Sequence, residues 1–311
     1  MSKILYGKNI ADSIMQEVAL EIIELKKRGT VPLLMTLEVG EDPASKVYMT
    51  SQCRNAAKVG IELETIELAE GVSQKRLLEV LDNINRDPYI SGVILQMPLP
   101  SNLNAKMAQW NIDRLKDVEG VTPYNLGRLF LGMPGLMPCT AQAIVAMIKS
   151  TGADLRGKEV AVIGNSDIVG KPAAIMMLKE EATVTVCHIA TDQKGHLEEH
   201  VRRAEILIVA TGNPDLIKGR WIKEGAIVID AGINSVDNGI VGDVEFEEAS
   251  ERASFITPVP GGVGAVTVAY LMKNVVEAVK MQQIESGLMK KAEQSERRSH
   301  THEDHKWKCN G

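Results

Sequence analysis

The chain has 311 residues, an apolar fraction of 44% and a formal net charge of −6 at pH 7. That length accommodates one large domain or two ordinary ones with a real core, and the acidic balance leaves no electrostatic footprint for nucleic acid. No apolar run reaches the about 18 residues of a membrane span, residues 1–7 lack the layout of a secretory signal, and four scattered cysteines without a CxxC pair argue against a structural zinc site and for reduced, cytoplasmic thiols.

In chain order, Ile14, Val18, Ile22 and Leu25 recur at helical spacing within residues 10–27. Residues 32–39 read as a buried strand stopped by Gly40-Glu41-Asp42-Pro43, and a helix from Ala44 to Val59 closes at Gly60. A short strand (Glu62–Leu68), a helix (Ser73–Asn85) and an apolar strand (Gly92–Gln96) that stops at Pro98 follow. The second half alternates more cleanly: strand Glu159–Ile163, helix Gly170–Lys179, strand Thr183–Cys187, a helical Val201–Ala204, then strands Ile206–Ala210 and Ala226–Asp230. The expected class is α/β with two domains. Residues 1–138 form an N-terminal α/β domain and residues 139–265 a Rossmann-like, doubly wound domain. An apolar helix over residues 266–284 packs back on the first domain. The charged tail, 285–311, carries His300, His302, His305 and Cys309, and reads as a solvated, disordered terminus rather than a metal site.

Six segments bear candidate chemistry. Gly164-Asn165-Ser166-Asp167-Ile168-Val169-Gly170 joins a strand to a helix, where backbone N–H groups and the helix dipole favour a phosphate. It is not GxGxxG, so a tight structural turn is the alternative. The next strand ends at Cys187-His188-Ile189, with neither the carboxylate of an NAD ribose site nor an Arg for a 2′-phosphate. His188 there reads as a packing or capping residue as readily as a ligand. Tyr48 and Gln52 sit one helical turn apart on one face, as a ligand-facing pair or as plain helix surface. Gln96 ends a buried strand, where an amide either holds a flat heterocycle or satisfies loop backbone. Lys116-Asp117-Val118-Glu119-Gly120 offers two carboxylates or a solvated turn, and Pro258-Val259-Pro260-Gly261-Gly262-Val263-Gly264 is a stiff loop suited to close approach by a ligand.

Taken together, Asp42–Tyr48, Gln96–Pro100, Lys116–Gly120, Pro138–Thr140, Ile163–Pro172, Ala182–His188, Gly242–Val244 and Pro258–Thr267 resemble the methylenetetrahydrofolate dehydrogenase/cyclohydrolase family from about Ile4 to Val279. The resemblance implies two α/β domains around a cleft in a homodimer, a tetrahydrofolate derivative as small-molecule substrate, and NAD or NADP as cofactor. It assigns catalysis to Tyr48, Gln52, Gln96 and Glu119, and folate contacts to Tyr48, Gln96, Glu119, Pro260, Gly261 and Gly264. Nucleotide contacts fall on Thr140, Gly164, Asn165, Ser166, Ile168, His188, Gly212, Ile233 and Thr267. No metal, nucleic acid or membrane partner is implied.

Several family positions differ here. Gln52 replaces the Lys central to hydrolysis, and a neutral amide carries no charge and is no acid or base near pH 7. Arg54, two residues on, is expected on a different helix face. Glu119 replaces an Asp that contacts the pterin. Asn165 and Ile189 replace the Arg and Ser that hold the 2′-phosphate, which weakens NADP binding. Ala265-Val266 replaces Pro-Met. The expected function is oxidation of 5,10-methylenetetrahydrofolate to the methenyl form, with the cyclohydrolase step weak or lost. The alternatives are a folate-dependent transferase, lyase or hydrolase without net redox chemistry, and a catalytically silent folate-binding partner.

Overall fold

The computed structural model describes residues 3–40, 43–237 and 239–306, with side chains described outside 43–47 and 288–306. The first part of the chain runs β1 (Lys3–Ile4), α1 (Lys8–Lys27), β2 (Leu33–Val39), α2 (Pro43–Val59), β3 (Glu62–Leu68), α3 (Gln74–Arg86), β4 (Gly92–Leu95), α4 (Ala105–Trp110) and α5 (Pro123–Phe130). After α6 (Cys139–Ser150) come β5 (Glu159–Ile163), α7 (Gly170–Lys179), β6 (Thr183–Cys187), α8 (Ile189–Gln193), α9 (Leu197–Arg203), β7 (Ile206–Val209) and β8 (Ile227–Asp230). A hairpin of β9 (Asn234–Val236) and β10 (Gly239–Val241), then α10 (Phe246–Arg252), β11 (Phe255–Ile256) and α11 (Val263–Lys306) complete it. The two-domain α/β class expected from alternating elements is the architecture found.

The smaller sheet is parallel, in the order β3-β2-β4. Strand alternation divides its middle strand between two cores. Met35, Leu37 and Val39 pack with Leu77, Leu81 and Ile84 of α3, whereas Leu34 joins Ala56 and Val59 of α2. Thr36 and Glu38 share the face of Leu34, so the α2 side of this sheet is polar toward its C-terminal end. The larger sheet, also parallel, has the order β1-β11-β8-β7-β5-β6. The chain leaves β5 to one side for β6 and returns to the other for β7. Their carboxyl ends therefore form a topological switch point, where such sheets bind ligands. The terminal strand β1 adds to this larger sheet rather than to the smaller one.

Helix α11 packs along α1 and α6 and touches α2 and β4, so the chain's end folds back on its first part as expected. Helix α6 escaped the sequence reading. Eight of its twelve residues are buried, and a helix apolar nearly all round shows no face in its sequence. The backbone of α11 runs on to Lys306. The side chains of His300, His302 and His305, and all of Cys309, lie outside the described residues. Among the described residues no helix is long and apolar enough to cross a membrane.

Candidate active site

Three elements bring the first constellation together. Gln52 on α2 is fully buried, and its Oε1 accepts a 2.9 Å hydrogen bond from Gln96 Nε2 at the end of β4. The Gln96 backbone N–H is in turn fixed by Leu37 carbonyl at 2.9 Å. With its oxygen used, Gln52 presents a buried Nε2 that has no hydrogen-bond partner among the described residues. One turn earlier Tyr48 reaches the cleft. Desolvation first, and then the nearby Glu119 and Cys139, push its phenol well above the usual range. Arg54 is exposed and takes no part.

The segment between α4 and α5 separates its charges by role. Lys116 is buried and donates to the carbonyls of Ile84 at 2.7 Å and Asp87 at 2.5 Å. Asp117 is buried too, and accepts from Val121 N (3.1 Å), Thr122 N (2.8 Å) and Asn125 Nδ2 (2.8 Å). Both are structural, and the solvated-turn alternative is overturned: the segment is stitched to β4 and capped by Asn274 of α11, whose Nδ2 reaches Val118 carbonyl at 2.7 Å. Gly120 makes the turn possible, since at φ +70° a Cβ would lie 2.3 Å from the Met137 carbonyl carbon. Glu119 is left over. It is partly buried, and desolvation, with Asp117 adding, lifts its carboxyl to about 8. Near neutral pH it is mostly a protonated acid, able to donate as well as accept. Cys139 lies close by, its thiol pushed far up by burial and by Glu119.

A cavity of about 440 Å³ lies between Tyr48 and the larger sheet. Of the residues marked from sequence, Tyr48, Thr140, Ile233, Pro260, Gly261, Gly264 and Thr267 line it. Gln52, Gln96 and Glu119 do not line it. A second cavity, about 300 Å³, opens at the switch point and is lined by Gly164, Asn165, Ser166 and His188 among the marked residues. Ile168 and Gly212 line neither. Gly164 has φ +113°, and a Cβ there would fall 2.2 Å from Ala210 carbonyl oxygen, so the turn closes tightly on β7. Ser166 Oγ accepts from Val169 N at 3.1 Å and Gly170 N at 3.3 Å, capping α7. Among the described residues no backbone hydrogen bond engages the N–H groups from Asn165 to Ile168. Successive free N–H groups at the head of a ten-residue helix fit a diphosphate, and the two cavities on either side fit the two ends of a dinucleotide. His188 Nδ1 accepts from Ala190 N at 3.2 Å, the capping arrangement, while the ring still borders the cavity.

Three acidic positions beside the cavities carried no role in the sequence reading. Asp243 is fully buried: Oδ2 accepts from Thr211 N (2.6 Å), Thr211 Oγ1 (2.9 Å) and Gly212 N (3.0 Å), and Oδ1 from Asn234 Nδ2 (2.8 Å). Asp230 accepts from the N–H groups of Gly232, Asp243 and Val244. Burial lifts its carboxyl to about 6 against those three bonds, and Asp243 adds to the rise. Together the two acids shape the turns after β7 and β8. A lone acid closing an apolar strand, as in Ile227–Asp230, was the available signal. The third is Asp192, which lines the switch-point cavity. The end of β6 itself carries no carboxylate; Asp192 stands five residues past the strand, on α8, where strand-end spacing does not look.

Residues 5–119 match the tetrahydrofolate dehydrogenase/cyclohydrolase catalytic domain, and residues 138–283 its NAD(P)-binding domain. The chain is 45% identical over 282 residues to the bifunctional protein FolD of Acetivibrio thermocellus, covering 90% of this chain and 98% of that one. It is 46% identical to bifunctional protein FolD 2 of Geobacter sulfurreducens, with the same coverage. Among solved structures, the bifunctional FolD methylenetetrahydrofolate dehydrogenase/cyclohydrolase of Campylobacter jejuni superposes with a TM-score of 0.87 at 39% identity, over 91% of this chain and all of that one. The Trypanosoma brucei N5,N10-methylenetetrahydrofolate dehydrogenase-cyclohydrolase, complexed with NADP and an inhibitor, gives 0.85 at 35% identity, over 90% and 98%.

Proposed function

This chain belongs to the tetrahydrofolate dehydrogenase/cyclohydrolase family, and from that premise we propose that it oxidises 5,10-methylenetetrahydrofolate to the methenyl form and hydrolyses that product poorly. The observation that carries the second half is the buried Gln52–Gln96 amide pair. Hydride transfer asks the protein chiefly for position. Hydrolysis asks for water addition and proton transfer beside the bridge, and Gln52 is a neutral amide there.

A bound nicotinamide would supply the hydride acceptor. The turn from Gly164 to Gly170 would hold its diphosphate, and Thr140, Ile233 and Thr267 would border the nicotinamide end. Gln96, Tyr48 and Glu119 would hold and orient the pterin, with Pro260, Gly261 and Gly264 closing the cleft. Glu119, neutral near pH 7, keeps a proton that an Asp in a wetter site would lose. The exposed β6 edge of the larger sheet is consistent with a homodimer. Similarity along both domains and an open switch-point cavity favour the redox reading over a non-redox transferase or a silent partner.

The test follows nucleotide reduction with methylenetetrahydrofolate and, separately, the loss of methenyltetrahydrofolate absorbance above its spontaneous rate. Reduction with slow hydrolysis is expected. No reduction with either nucleotide sinks the proposal, and rapid hydrolysis sinks its second half.

A further inference from the structure

The switch-point cavity is bordered by the ends of β5, β6 and β7, where the adenosine half of a nucleotide lies in doubly wound sheets. Its walls are apolar side chains such as Ile163, Leu197 and Leu216, together with Asn165, His188 and Asp192. No Lys or Arg lines it, and Lys194, two residues beyond Asp192, is exposed and stays outside. The Asp192 backbone is fixed within α8, its N–H bonded to His188 carbonyl and its own carbonyl to Gly195 N–H. Its carboxylate is half-buried and has neither a hydrogen bond nor an ion pair among the described residues. An unpaired carboxylate facing a cavity without a cation needs donors. It also meets any anion there in a medium that screens poorly.

Resting on the dehydrogenase reading above, we propose that Asp192 selects the nucleotide: it accepts hydrogen bonds from the adenosine ribose hydroxyls of NAD and repels the 2′-phosphate of NADP. The sequence-level loss of Arg and Ser contacts explains why NADP would gain nothing here. Asp192 adds an active preference, because a dianion and a carboxylate would share one small cavity. It does the work of the acid that ordinarily ends the second strand, from a helix one turn further along.

The test is calorimetric and needs no turnover. NAD, NADP, 5′-AMP and 2′,5′-ADP are titrated into the wild-type protein, Asp192→Asn and Asp192→Ala. The wild type is expected to bind NAD at least tenfold more tightly than NADP, and 5′-AMP more tightly than 2′,5′-ADP. Both variants should shrink those ratios about tenfold or more, by losing NAD affinity and gaining NADP affinity. Wild-type preference for NADP overturns the proposal, as do ratios unchanged in both variants. If the ratios stay fixed while NAD is still reduced with methylenetetrahydrofolate, Asp192 alone is misassigned. Absence of binding by every nucleotide removes the dehydrogenase reading and Asp192 with it.

Discussion

Replacing Glu119 by Gln should make the protein more stable at alkaline pH and leave it nearly unchanged at pH 5. Desolvation of the partly buried carboxyl, with the charge of Asp117 adding, raises it from an ordinary 4.5 to about 8. Between those values the folded chain holds a proton that the unfolded chain has released, so stability falls as pH rises through the window and levels off above about 8. Each tenfold change in acidity corresponds to about 1.4 kcal/mol, so ionised Glu119 costs the fold at most about 5 kcal/mol, and water penetration lowers that limit. Glutamine keeps the shape and removes the ionisation. Urea unfolding of both proteins from pH 5 to 9 should give curves within about 1 kcal/mol at the acid end that separate by at least about 2 kcal/mol at the alkaline end. Asp230, raised to about 6, is common to both and cancels. Parallel curves across the range would refute the reasoning and place Glu119 in water.

Gln52→Lys should raise methenyltetrahydrofolate hydrolysis by restoring a charge and a proton carrier, and adding Glu119→Asp should raise it further; no change in the absorbance assay would show that another residue carries the step. Gln96→Ala should weaken binding of a reduced folate by about 1–3 kcal/mol in calorimetry, because the Gln52 oxygen loses its donor and the ligand loses an amide. Thr36→Val should stabilise the protein by about 1 kcal/mol in urea, since the Thr36 hydroxyl is buried without a partner among the described residues; destabilisation would reveal a partner, water included, that the fold relies on.

Alternating apolar segments were enough to read the longer strands and several of the helices, because period and turn chemistry are local properties of the chain; the two-residue strands β1 and β11 are too short to carry a period. Glu62–Leu68, Glu159–Ile163, Gly170–Lys179 and Thr183–Cys187 stand as the sequence set them. Helix α6 was not legible, since burial on nearly every side erases the periodic signal. The candidate residues were visible as polar groups in unusual places, yet their roles were not. In Lys116–Gly120 nothing local distinguishes Asp117, saturated with three donors, from Glu119, whose carboxyl is desolvated and raised to about 8.

What the sequence determined alone was the class of fold, the alternation of its main strands and helices and the identity of the altered side chains: Gln52 cannot titrate near pH 7 wherever it lies, and Asn165 and Ile189 cannot hold a phosphate as Arg and Ser do. What tertiary structure decided was which of those groups meet. The Gln52–Gln96 bond joins residues 44 positions apart, and Asp243 holds a turn 32 positions away. Asp192, on α8, lines the switch-point cavity together with residues of the turns after β5 and β7. Side-chain chemistry travels with the residue, but proximity, desolvation and the shifted acidity of Glu119 come into being only when distant segments close around one space.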